Sequence, residues 1–77
     1  MIDENYLNEK LEWVKYRLDK LDQIEAKLVE MKYLAEFARD HKLSSKQIEG
    51  INSKLRKFQQ EVIEMDDSSK TFWLENQ

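Results

Sequence analysis

Two runs of apolar side chains at coiled-coil spacing constrain this chain more than anything else in it. In the first, Leu7, Leu11, Val14, Leu18 and Leu21 are separated by 4, 3, 4 and 3 residues. After a three-residue step that shifts its phase, the stripe continues as Ile24, Leu28, Met31, Ala35 and Ala38. In the second, Ile48, Ile51, Leu55, Phe58, Val62 and Met65 are separated by 3, 4, 3, 4 and 3. Alternating threes and fours keep apolar residues on one side of a helix, where a partner helix can cover them. No proline interrupts either run, and Gly50 is the only glycine. The spacing predicts an all-α protein.

The two runs do not share one register, and the stretch DHKLSSKQIEG at residues 40–50 supplies a break. Ser44 and Gln47 stand at the N-cap and N3 positions of a capping box, and Leu43 and Ile48 at those of a hydrophobic staple. A serine cap contributes about 1 kcal/mol over alanine. His41 and Lys42 place cationic groups at the end of the first helix, where the helix dipole favours them. The reading is one domain: a helix over about 4–40, a turn over 41–44, a helix over about 45–66, and an aromatic C-terminal segment, 67–77. DDSS at 66–69 is expected to bend or loosen the second helix.

So short a turn makes the helices antiparallel neighbours. With its centre near residue 43, facing residues have numbers that add to about 86. Leu28 then lies beside Phe58, Leu21 beside Met65 and Trp13 beside Trp73. Lys15, Arg17 and Lys20 fall near Glu64, Asp66 and Asp67, and Glu30 near Arg56 and Lys57. Phe72 and Trp73 are expected to close the open end of the hairpin against Trp13 and Tyr16.

The first helix is apolar on more than one face. Within LVEMKYLAEFA, residues 28–38, eight of eleven positions are apolar or aromatic. Leu28, Met31, Ala35 and Ala38 are assigned to the hairpin, which leaves Val29, Tyr33, Leu34 and Phe37 pointing elsewhere. Soluble monomers seldom expose a contiguous patch of that kind, and each large apolar side chain buried is worth about 1.5–3 kcal/mol. These four residues are therefore the expected partner surface. The simplest partner is a second copy, giving a dimeric four-helix bundle with the first helices at its centre.

Composition narrows the function. The chain has 77 residues, no cysteine and one histidine, so thiolate or multi-histidine metal sites are excluded. Its 13 basic and 16 acidic residues are well mixed and give a net charge of −3. Nucleic-acid modules normally carry a basic face, so no nucleic acid is expected. No apolar run approaches the roughly 20 residues that cross a bilayer, and MIDENYLNEK lacks the order of a signal peptide. A cytoplasmic location is expected, and the Lys-, Glu-, Ile- and Asn-rich style suggests a bacterium. His41 reads as a helix-end cation, Glu25/Glu30 and Glu61/Glu64 as solvated pairs, Lys54, Arg56 and Lys57 as ion-pairing residues, and Met31 and Met65 as core fillers. No catalytic, cofactor-binding or metal-binding residues are assigned.

The expected function is thus a non-enzymatic, self-associating helical module acting as an adaptor or regulator. One alternative comes from the second helix. NSKLR, residues 52–56, resembles at Ser53 and Leu55 the Ser-Gln-Glu-Leu-Asp signature of the small sporulation-linked aspartyl-phosphate phosphatases, which are also helical hairpins. That resemblance implies a regulatory phosphatase acting on a phosphorylated response regulator. The family's acidic residue falls on Arg56 here.

Overall fold

The computed structural model describes the backbone of residues 3–75 and the side chains of residues 3–70. Two helices, α1 (Glu4–Asp40) and α2 (Ser45–Glu75), pack against each other as an antiparallel hairpin. The molecule measures 65 × 18 × 10 Å, with a radius of gyration of 18.2 Å. A compact domain of this length has a radius of gyration near 11–12 Å, so the hairpin is a rod.

Local chemistry sets the helix ends. Asp3 caps α1: its carboxylate accepts from the Asn5 and Tyr6 backbone N–H groups at 3.0 and 3.3 Å. At the other end His41 is extended, and its N–H bonds the Phe37 carbonyl at 3.1 Å. The imidazole Nδ1–H donates to the same carbonyl at 2.9 Å, and the ring stacks on Phe37 with centroids 4.0 Å apart. The capping box forms as the sequence predicts. Gln47 N–H donates to Ser44 Oγ at 3.2 Å, and Ser44 N–H donates to Gln47 Oε1 at 2.9 Å. The break at 41–44 is therefore a stop and a restart, each with its own bonds.

On α2 the predicted seam faces α1. Ile51, Leu55, Val62 and Met65 are half-buried, and Phe58 is 8% exposed. Ile48, the first member of the run, stays exposed. At the other end Ser69, fully buried, extends the seam by one step of four.

On α1 the seam differs from the expectation. The half-buried residues are Lys10, Trp13, Arg17, Lys20, Ile24, Lys27, Met31, Leu34 and Ala38, with Glu36 off their line. Lys10 to Ala38 keep the heptad spacing, but four of these nine are cations. Leu7, Leu11, Val14, Leu18, Leu21 and Leu28 remain 40–56% exposed. Leu21 and Leu28 thus do not lie buried beside Met65 and Phe58, and Leu34, expected to point away, faces α2. Each exposed aliphatic residue from Leu11 to Leu28 follows a partly covered one by a single position: Lys10/Leu11, Trp13/Val14, Arg17/Leu18, Lys20/Leu21, Lys27/Leu28. One residue is about 100° of helical rotation.

Carboxylates beside the α2 seam give the reason. Lys27 Nζ lies 3.2 Å from Glu61 and 4.2 Å above the centre of the Phe58 ring. Arg17 Nη1 lies 2.9 Å from the Asp66 carboxylate. The stems of these cations cover apolar surface while their heads find anions and a ring face. Ion pairing across the hairpin therefore runs through Arg17–Asp66 and Lys27–Glu61, rather than through Glu30 with Arg56 and Lys57.

The helix also continues through 66–69, where a bend was expected, and reaches Glu75. Ser68 Oγ donates to the Met65 carbonyl at 3.2 Å, and Ser69 Oγ donates to it at 2.9 Å. Serines bonded back to the preceding turn remain compatible with helix. Lys70 adds pairs one turn back, to Asp66 at 3.1 Å and Asp67 at 3.8 Å. Of the expected aromatic end cluster, Trp13 is half-buried in the seam and Tyr16 is 37% exposed. The side chains of Phe72 and Trp73 lie outside the described residues.

Candidate protein-binding surface

The surface with the clearest chemical character is the leucine stripe of α1. Leu7, Leu11, Val14, Leu18, Leu21 and Leu28 run along about 30 Å of helix at 1.5 Å per residue, beside the face that α2 covers. Its spacing is that of a coiled-coil seam, yet α2 leaves it open. Val29 directly follows Leu28 and is also exposed.

Tyr33, 64% exposed, is the most open large apolar side chain among the described residues of α1. Leu34 and Phe37 meet Leu43, Gln47, Gly50, Ile51 and Lys54 around a shallow groove of about 340 Å³ beside the turn. A second groove, of about 370 Å³, lies among Lys27, Glu61, Glu64, Met65 and Ser68. Leu34 and Phe37 thus share the groove beside the turn, while Phe37 stays 47% exposed one helical turn from Tyr33. The leucine stripe itself was visible in the sequence, where it was assigned to the hairpin. The missed signal was the run Arg17, Lys20 and Lys27 at matching spacing on α1, opposite Glu61 and Asp66 on α2.

Surface area gives the scale of what is left open. Phe58 is the only apolar side chain buried among the described residues, and α1 buries none. The accessible surface is 6387 Å². A compact 9.4 kDa chain would expose about 5,000 Å², so the rod carries an excess of about 1,400 Å².

A polar clasp fixes which face is turned outward. Arg17 Nη1 reaches three acceptors: the Asp66 carboxylate, the Asp66 backbone oxygen at 3.4 Å and Ser69 Oγ at 2.5 Å. The bond from Lys70, and then that from Arg17, hold the Asp66 carboxyl below the usual carboxylate range. With Arg17 held against α2, Leu18 is turned away from it. Among the described residues no group of three or more His, Cys, Asp or Glu side chains is arranged to hold a metal ion, and no helix is long and apolar enough to cross a membrane.

No protein family, curated protein or solved structure matches this chain. Within NSKLR, Arg56 donates to Ser53 Oγ at 3.4 Å on an exposed face of α2. A cation thus stands where the phosphatase resemblance implies a carboxylate.

Proposed function

We propose that this chain is a small non-enzymatic helical protein–protein interaction module that associates with itself, serving as an adaptor or regulator in the bacterial cytoplasm. The observation that carries this reading is the apolar stripe of α1, left open in a hairpin with one buried apolar side chain among the described residues. A single core in a chain this short supplies only a few kcal/mol, and here even that core is thin. A second copy laid along α1 adds the missing burial and turns two rods into a four-helix bundle with the α1 helices inside. The hairpin supplies a rigid frame, and the turn and the outer α2 faces remain available to other proteins.

The test is molar mass by light scattering across a dilution series. Twice 9.4 kDa, dissociating on dilution, is the expected result. A monodisperse, folded monomer at tens of micromolar overturns the proposal.

A further inference from the structure

We infer that the leucine stripe of α1 binds the same stripe of a second copy in antiparallel orientation, with Leu18 opposite Leu21 and Leu11 opposite Leu28. The inference rests on the self-association proposed above and gives it a surface, an orientation and a register.

The area fits a second copy. A standard interface takes about 800 Å² from each partner, within the excess of about 1,400 Å² estimated from accessible surface. Orientation follows from the residues that interrupt the stripe. Continued at heptad spacing, it meets Glu25 between Leu21 and Leu28, and then Lys32. Two parallel copies would set Glu25 against Glu25 and Lys32 against Lys32 on the seam, each a like-charge pair. Antiparallel copies in the stated register set Glu25 opposite Val14 and Lys32 opposite Leu7, where the lysine stem can cover the leucine.

Register follows from the flank. On one side of the stripe stands α2. On the other lie Lys15, Asp22 and Val29, one per heptad, all exposed. In antiparallel coiled coils these flanking positions meet their own kind across the seam. With Leu18 opposite Leu21, Lys15 of each copy meets Asp22 of the other, twice by symmetry. Slipping by one heptad in one direction sets Lys15 against Lys15, and in the other direction Asp22 against Asp22. Among the described residues, Lys15 makes an exposed pair with Glu12 of its own chain at 3.5 Å, a weak competitor. Charge at the flank selects orientation and register, as it does in coiled coils generally.

Cysteine cross-linking tests this in the full chain, which has no cysteine of its own. L18C chains and L21C chains, one carrying a mass tag, are mixed and oxidised. The expected product is the mixed L18C–L21C disulfide dimer. A dominant L18C–L18C dimer means parallel pairing and overturns the inference. No covalent dimer also overturns it, and light scattering of the unmodified chain then tells a wrong register from absent self-association. In parallel, K15D and D22K should each weaken dimerisation about tenfold, and the double swap should restore it. Circular dichroism checks that each variant stays helical, and single swaps that leave the dissociation constant unchanged count against the flank pairing.

Discussion

Replacing Leu18 by alanine separates a hairpin that ends at its own surface from one that needs company. Leu18 is 56% exposed in the single chain. Leucine and alanine are both strong helix formers, with alanine slightly better. For an isolated hairpin the change should therefore fall within the roughly 0.5 kcal/mol typical of surface substitutions. A dimer answers differently. Full burial of a leucine is worth about 1.5–3 kcal/mol, and about half of that remains to be gained at Leu18, near 1–1.5 kcal/mol per copy. Symmetry counts it twice. A loss of about 2–3 kcal/mol corresponds to a dissociation constant raised roughly 30- to 150-fold. Sedimentation equilibrium measures this directly, and thermal melts at two concentrations give a second reading, because a dimer's midpoint depends on concentration. Glu49→Ala, on the exposed face of α2, is the control and should leave the constant within a few-fold. If L18A dimerises as tightly as the parent chain, the stripe is not the interface.

Three further outcomes follow. Phe58→Ala removes the one apolar side chain buried among the described residues and should cost about 3–5 kcal/mol, read as lost helicity or an early denaturation midpoint; a near-neutral effect would contradict the seam. Gly50→Ala meets nothing within 4 Å and should stabilise α2 by about 1 kcal/mol, whereas a fall in Tm would mean that another chain approaches the backbone there. Acidification tests the clasp. The Asp66 carboxyl is depressed in the folded chain, so its contribution is complete above the ordinary carboxylate value of about 3.9 and is lost as pH falls through the lower folded value. Between pH 6 and pH 3 the parent should therefore lose more Tm than Asp66→Asn, and equal losses would remove Asp66 from the account.

Much of the fold was legible because local rules and periodicity agreed. Ser44 and Gln47 carry a complete capping box in their spacing, and the turn formed there. The α2 run alternates cleanly on a polar background, so one face alone was available for burial. α1 was harder, because it carries two heptad stripes one residue apart. Apolarity alone favours the leucine stripe for the hairpin, but α2 sees the other, whose Lys27 and Arg17 heads reach Glu61 and Asp66, with Lys27 Nζ also over the Phe58 ring. That choice depends on two helices at once and cannot be read from either alone. The continuation of α2 past Asp66 was hidden similarly, since serines that resemble a cap are also satisfied by carbonyls of the preceding turn. Of the predicted interface residues, Leu34 and Phe37 went to the turn, Val29 borders the leucine stripe, and Tyr33 stands open.

The claim at the centre is that the leucines of α1, open in one chain, are covered by another. Isotope-filtered nuclear Overhauser spectroscopy on a mixture of labelled and unlabelled chains observes this directly. Intermolecular contacts are expected between the methyl groups of Leu18 and Leu21, with those of Leu11 reaching Leu28. Leucine methyls that show no intermolecular contact at millimolar concentration, and that respond to a soluble paramagnetic probe as freely exposed groups do, would contradict it.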